Sequence, residues 1–237
     1  MHRVTALHSW INNLSPPVRE AVVQRMRPRR YAAGEAVYML GEQGKELYMI
    51  VSGRIRFCNY TERGKEIQIA EIRAGDCFGE LSLIDGLHRP SCAVAAGPTE
   101  LLVLPQKDFE ELRSKHLEIC LQLNRLLSHR LRVAYTIIED ATALPMKDRL
   151  ARLLARLGYS IGVPDAGGGT IIEGFTHETL ARMLGSTREV ISRELKQLER
   201  SALIRRSYGK IRVSDLDALI DQCDGLVGGE EIVPGYP

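Results

Sequence analysis

From Tyr31 to Leu104 the hydrophobic positions come in short runs punctuated by glycine. Leu47–Val51, Arg54–Tyr60, Glu66–Ile72 and Leu101–Leu104 are rich in Ile, Val, Tyr and Leu. Arg54-Ile55-Arg56-Phe57 and Glu66-Ile67-Gln68-Ile69 alternate polar with apolar, the pattern of strands with one buried face. Turn signals separate the runs: Gly34-Glu35, the stretch from Gly41 to Gly44, Ser52-Gly53, Arg63-Gly64 and Gly75-Asp76. Many short strands with regular turns predict an antiparallel barrel or roll. Ahead of them, Pro16 and Pro17 open a predicted helix that runs to Met26.

From Lys107 the period becomes helical. Leu117, Cys120, Asn124, Leu127, Leu131, Ala134 and Ile138 recur at alternating spacings of three and four. That is a heptad seam about 32 Å long at a rise of ~1.5 Å per residue. So narrow a stripe predicts a parallel two-stranded coiled coil between copies of the chain, with Asn124 fixing the register. The alternative is a helix packed on its own domain. Leu144-Pro145 ends the helix, because a residue before proline is pushed out of α geometry. Met146–Leu157 then forms a second amphipathic helix, with Leu150, Leu153, Leu154 and Leu157 on one side and Gly158 as its expected stop. Asp165-Ala166-Gly167-Gly168-Gly169 reads as a flexible loop. It lacks the Lys-Ser/Thr of a phosphate-binding loop.

The stretch from Phe175 to Arg200 carries the most chemistry. Thr176 is a good N-cap for a helix through Leu184, Gly185 breaks it, and Ser186-Thr187 can cap a second helix from Arg188 to about Arg200. Val190, Ile191, Leu195 and Leu198 share one side of that helix, and Arg188, Glu189, Ser192, Arg193 and Lys196 another. Helix, glycine-containing turn, helix is the helix-turn-helix arrangement, whose second helix enters the DNA major groove. Arg188 and Arg193 can each offer a planar fork to guanine O6 and N7, and Glu189 can accept from cytosine N4. Ser186, Thr187 and Ser192 are short donors suited to phosphate oxygens, and Thr176 is a further candidate DNA contact. Ile204 to Arg206, a Tyr208-Gly209 turn and Lys210 to Val213 predict a β-hairpin wing that lays Arg205, Arg206 and Lys210 along the DNA backbone.

Charge sharpens this picture. The 237 residues carry a net charge of only +2, but Pro145 to Ser214 holds 13 Lys and Arg against 7 Asp and Glu. Asp215 to Pro237 has six acids and no base. A basic segment favours polyanions through phosphate contact and counterion release. No window approaches the ~18 apolar residues of a membrane span. Met1 to Leu14 mixes His2, Arg3 and His8 with apolar residues and lacks a signal peptide's apolar centre, so a cytoplasmic protein is expected. Cys58, Cys77, Cys92, Cys120 and Cys223 are dispersed, as reduced thiols are, and form no metal-ligand cluster.

The order of strand-rich roll, long helix and winged helix-turn-helix resembles the cyclic-AMP receptor protein/FNR (CRP/FNR) family of bacterial transcription regulators, from about residue 10 to 220. Gly185-Ser186-Thr187-Arg188-Glu189-Val190-Ile191-Ser192-Arg193 is similar to the family's recognition-helix signature. Phe78-Gly79-Glu80-Leu81-Ser82-Leu83-Ile84-Asp85-Gly86, followed by Arg89, is similar to its phosphate-binding cassette. The resemblance implies an α+β chain. An N-terminal antiparallel, cyclic-nucleotide-binding-like jelly roll would occupy residues 1–106 and a coiled-coil dimerisation helix 107–144. A winged helix-turn-helix would span 145–224. Beyond it, Gly228-Gly229, Glu230-Glu231 and Pro234-Gly235 make residues 225–237 read, by composition, as a disordered tail.

It further implies a homodimer that reads a palindrome with TGTGA-like half-sites through Arg188, Glu189 and Arg193, and that meets RNA polymerase. Gly79, Glu80, Leu81, Arg89, Pro90, Ser91, Arg130, Ala134 and Tyr135 would hold a cyclic nucleotide, with Arg89 on its phosphate and Glu80 on a ribose hydroxyl. A ligand there would turn the recognition helices through a hinge at Ala143-Leu144-Pro145. Two departures widen the choice of effector. Pro90 stands where cyclic-AMP binders usually have Ser or Thr, and it has no N–H to offer. Ala134 and Tyr135 stand where the cyclic-AMP receptor protein has hydroxyl residues near the adenine. Cyclic AMP, cyclic GMP, another nucleotide and no small ligand all stay open, as does a structural Glu80–Arg89 ion pair. Among rivals, a thiol-controlled regulator would use Cys77 and Cys92, which flank the cassette. A regulatory subunit of an enzyme is disfavoured, because the ~90 residues after the long helix hold no nucleophile–base pair.

Overall fold

The computed structural model describes residues 7–223, which divide into two compact units; the tail expected to be disordered, residues 225–237, lies outside them. The division falls inside the long helix, between His129 and Arg130.

In the N-terminal unit a 3-10 helix (Leu7–Asn13) and α1 (Pro16–Val23) precede the strands. The helix predicted to reach Met26 ends earlier because the chain must extend into β1 (Arg27–Tyr31). The other strands are β2 (Ala36–Tyr38), β3 (Glu46–Ser52), β4 (Arg54–Tyr60), β5 (Glu66–Arg73), β6 (Cys77–Phe78), β7 (Cys92–Ala95) and β8 (Thr99–Pro105). They form two antiparallel sheets, ordered β1-β8-β3-β6 and β2-β7-β4-β5. Tyr48, Ile50, Phe78, Leu101 and Val103 of the first sheet pack with Tyr38, Ile55, Ile72, Ala93 and Ala95 of the second, which closes the predicted roll. The opposite face of the first sheet presents Leu47, Cys77 and Leu104 to Trp10, Ile11, Val22, Phe109 and Leu126.

One strand faces the other way from its sequence pattern. On β5 it is Gln68 that is buried, while Ile67 and Ile69 are exposed. Ile72 lies in the roll core, and the period of two carries Gln68, four residues earlier, to the same face. A register shift between Phe57 and Cys58 interrupts the pairing beside it.

After β8 come α3 (Gln106–Lys115) and α4 (Leu117–Ala143). The helical stretch beginning at Lys107 is therefore broken, at His116, whose φ of −128° and ψ of 95° are extended. On α4, Ile119, Leu123 and Leu126 turn into the N-terminal core. The seam residues Leu117, Asn124, Leu131, Ala134 and Ile138 stay exposed, and Cys120 and Leu127 are half-buried. Among the described residues no helix is long and apolar enough to cross a membrane.

The C-terminal unit is built on α5 (Met146–Ile161), which runs through Gly158 rather than stopping there. A Cβ at that position would come within 2.5 Å of Leu216, so the glycine serves the close approach of α8 (Leu216–Asp221). The remaining elements are β9 (Val163–Pro164), β10 (Thr170–Glu173), α6 (His177–Leu184), α7 (Arg188–Arg200), β11 (Ile204–Ser207) and β12 (Lys210–Val213). The strands pair antiparallel in the order β11-β12-β10-β9. Leu150, Leu154, Phe175, Leu180, Ile191, Leu195, Leu198, Ile211 and Leu219 share one core. The run at residues 165–169 is a turn between β9 and β10, held by Arg212 on the Asp165 carboxylate.

The expected hinge at residues 143–145 lies within this unit, and an ion triad bridges it. The carboxylate of Asp140, on the last turn of α4, accepts from Arg152 (2.8 Å) and Arg156 (2.6 Å) of α5. All three side chains are largely buried. Such a charge-assisted network makes the end of α4 and α5 one piece.

Candidate nucleic-acid interface and effector cassette

Local signals set the geometry of the helix-turn-helix. The Thr176 hydroxyl accepts from Thr179 N at 3.1 Å and caps α6. Gly185, at φ 65°, takes the left-handed position that ends the helix, and Ser186 N returns to Ala181 O. Thr187 caps α7 by accepting from Val190 N, while the neighbouring Ser186 makes no cap. The second helix thereby leaves the turn with its apolar side committed: Ile191, Leu195 and Leu198 are buried and Val190 half-buried.

The opposite side holds Arg188, Glu189, Ser192, Arg193 and Lys196, which together line one depression. Four of the five are exposed and Ser192 is half-exposed. The Glu189 carboxyl lies below the usual range because its own backbone N–H and the Thr187 side chain bond it, with Arg188 adding to the effect. Burial beside the cations of Arg206 and Arg188 pushes His177, the first residue of α6, below the usual imidazole range. Sequence reasoning passed over His177. It also passed over Glu194, which sits on the buried side of α7 at 5% exposure and accepts from Arg193.

The hairpin of β11 and β12 turns at Tyr208-Gly209, and the Tyr208 side chain stands fully in solvent at its tip. Arg205 is exposed. Lys210 pairs with Glu173 at 2.7 Å. Arg206 bonds Glu199 of α7 through its backbone N, Nε and Nη2, which fastens the hairpin to the end of that helix.

In the N-terminal unit the cassette forms α2 (Glu80–Asp85) behind Gly79. Gly79 has a φ of 91°, and a Cβ there would meet the Glu46 carbonyl oxygen at 2.9 Å and Arg89 Nη1 at 3.0 Å, so only glycine fits. Arg89 is 3% exposed. Its Nη1 donates to Gly79 O and its Nη2 to Glu46 O, each at 2.7 Å. The guanidinium lies 4.3 Å from the centroid of the Tyr38 ring. Arg89 Nε and the buried hydroxyl of Ser82 have no hydrogen-bond partner. Gly44 packs against both side chains, since a Cβ there would meet Ser82 Cβ at 2.2 Å and Arg89 Cζ at 3.2 Å.

The Glu46 side chain belongs to the same neighbourhood. Burial pushes its carboxyl up, but the Arg29 fork and the Tyr48 hydroxyl more than offset that, leaving it below the usual range. Glu80 and Ser91 are buried, and Leu81 and Pro90 exposed. Arg130, Ala134 and Tyr135 stand on the part of α4 that belongs to the C-terminal unit, Arg130 half-exposed and the other two exposed. Cys77 and Cys92 pack in separate clusters, and Cys92 lies opposite Cys58 across β7 and β4. The two thiols nearest the cassette in sequence therefore do not form a pair.

Residues 28–116 match the family model of the cyclic nucleotide-binding domain, and residues 148–222 that of the Crp-like helix-turn-helix domain. The chain is 25% identical over 219 residues to the CRP-like cAMP-activated global transcriptional regulator of Mycobacterium tuberculosis (strain ATCC 25618 / H37Rv), covering 92% of this chain and 98% of that protein. It is 30% identical over 213 residues to the global nitrogen regulator of Synechocystis sp. (strain ATCC 27184 / PCC 6803 / Kazusa), covering 89% and 91%. Among solved structures, a transcriptional regulator of the CRP/FNR family from Thermus thermophilus has a TM-score of 0.65 at 28% identity, over 82% of this chain and 97% of that one.

Proposed function

Because this chain belongs to the CRP/FNR family of DNA-binding transcription regulators, we propose that it acts as a homodimer on a palindromic operator with TGTGA-like half-sites. The observation that carries this reading is the two-sided α7. Its apolar side is fixed in the core while Arg188, Glu189, Ser192, Arg193 and Lys196 share one outward depression. Arg188 and Arg193 read guanine edges, and Glu189 a cytosine amino group. Thr176, Ser186, Thr187, Ser192 and Lys210 position the helix on phosphates. The exposed seam of α4, led by Leu117, Leu131 and Ile138, supplies the surface for the second copy.

Control runs through the cassette. Arg89 is a buried cation with an unspent Nε–H next to an unspent Ser82 hydroxyl, which suits an anionic oxygen such as a cyclic nucleotide's phosphate. Glu80 would accept from a ribose hydroxyl. Cyclic AMP and cyclic GMP are the first candidates for the effector. Asp140 ties the end of α4 to α5, so a ligand that turns that part of α4 turns α7 with it. The output is transcription, through contact with RNA polymerase.

A regulator that uses no small ligand is the second reading. It is favoured by Arg89 already spending both terminal nitrogens on carbonyls and by Pro90 lacking an N–H.

Fluorescence anisotropy on a palindromic TGTGA duplex, with and without each cyclic nucleotide at fixed salt, separates the two. Tighter binding with one nucleotide, and tighter nucleotide binding with DNA in return, supports control through the cassette. Specific binding indifferent to both supports the second reading. No preference over a scrambled duplex overturns the operator assignment.

A further inference from the structure

We propose that Glu194 is a positioning residue for DNA reading: it holds the Arg193 guanidinium by one edge and leaves the other edge set for a guanine. The inference rests on the base-reading role proposed above for Arg193.

Glu194 stands where the pattern of α7 calls for an aliphatic side chain. Its neighbours on that side, Ile191, Leu195 and Leu198, are fully buried, and Glu194 itself is 5% exposed. A carboxylate in that position is costly unless a cation meets it. The cation that meets it is Arg193, the next residue along, whose own side chain is 65% exposed. Both Arg193 Nε and Nη2 lie 2.9 Å from the same oxygen, Glu194 Oε1.

That choice of nitrogens matters. A guanidinium has a side edge, Nε–H with one N–H of Nη2, and an end edge, formed by Nη1 and the second N–H of Nη2. Glu194 takes the side edge. The end edge is the fork whose two parallel N–H groups match guanine O6 and N7. Two contacts from a buried, packed oxygen fix the plane of the guanidinium before DNA arrives. An exposed arginine otherwise gives up rotamer freedom at the moment of binding. The carboxylate sits behind the fork and does not compete for the base.

The inference predicts an effect on discrimination rather than on overall affinity. Glu194→Leu matches the buried aliphatic residues Ile191, Leu195 and Leu198 of α7 in kind, and Glu194→Gln keeps an acceptor oxygen. Binding of the full-length protein to the palindrome is measured by anisotropy against duplexes with each guanine replaced in turn, at several salt concentrations. Thermal melting monitors folding. Glu194→Leu is expected to lower discrimination at one guanine by about 3- to 10-fold with an unchanged salt slope. Glu194→Gln should restore most of it. The Arg193 Nε–H resonance, ordered in the wild type, should broaden or merge with the exposed arginines in Glu194→Leu.

Wild-type discrimination in Glu194→Leu, alongside a loss in Arg193→Ala, overturns the inference and leaves the base-reading assignment standing. Improved discrimination in Glu194→Leu also overturns it, since Glu194 would then be restraining Arg193 from DNA. If Arg193→Ala itself leaves every guanine equally well read, the base-reading assignment fails and this inference with it.

Discussion

Arg89 lies over the ring of Tyr38, its guanidinium carbon 4.3 Å from the ring centroid. The contact makes the most buried cation of the cassette part of the roll's aromatic core, where Tyr38, Tyr48 and Phe78 also meet. Two separable losses follow. Tyr38→Leu keeps apolar bulk and removes the cation–π contact, at a cost of about 0.5–2 kcal/mol. Arg89→Lys keeps the charge but cannot serve the Gly79 and Glu46 carbonyls with one planar fork, which costs about 1–3 kcal/mol. Urea unfolding followed by Trp10, the single tryptophan and 1% exposed in the N-terminal core, reads both. Arg89→Lys should also abolish any response to nucleotide.

Asp140 should be the most sensitive polar position of the C-terminal unit. Asp140→Asn leaves Arg152 and Arg156 largely buried without their counter-charge, and breaking such a network costs about 3–5 kcal/mol. The far-UV circular dichroism transition should move to lower urea while the Trp10 transition stays in place. Equal movement of both would show that the triad's effect is not confined to its own unit.

The α4 seam yields a prediction about assembly. Leu131, 54% exposed, and Ile138, 61% exposed, lie on the seam proposed above for the second copy. Placing like charges on a self-pairing seam makes the copies repel. The Leu131→Glu/Ile138→Glu double variant is expected to sediment as a monomer and to lose operator binding, with Trp10 unfolding unchanged.

His177 predicts a pH dependence. Its folded pKa is depressed below the unfolded value of about 6.5, by burial first and then by Arg206 and Arg188. Between the two values the unfolded chain binds more protons, so stability rises with pH there. The contribution is intact above about pH 6.5 and is lost as the pH falls through the folded pKa. Melting temperatures from pH 8 to pH 5 should therefore fall more for the wild type than for His177→Gln. The imidazole titration followed by NMR should centre below 6.5.

What the sequence made legible follows the range of each signal. Thr176, Gly185 and Thr187 act on their own turn of chain, so the caps and turn of the DNA-binding helices could be read directly. The cassette helix behind Gly79 and the hairpin at Tyr208-Gly209 were legible for the same reason. Features set by distant partners were not. Gly158 looks like a helix stop until Leu216 is seen packed on it. Ile67 and Ile69 look like core until Ile72 fixes the parity of β5. Glu194 counts as surface by residue type, yet its helical phase puts it on the buried side with Ile191 and Leu198. The backbone carbonyls that seat Arg89 have no sequence signature at all.

Whether a dimer reads a palindrome through its two α7 helices is decided by titrating a labelled TGTGA palindrome and a scrambled duplex of equal length at physiological salt. Two chains should bind each palindrome, at least ~10³-fold more tightly than they bind the scrambled duplex. Arg188→Ala or Arg193→Ala should shrink that ratio. Equal affinity for the two duplexes, or one chain per palindrome at saturation, would contradict it.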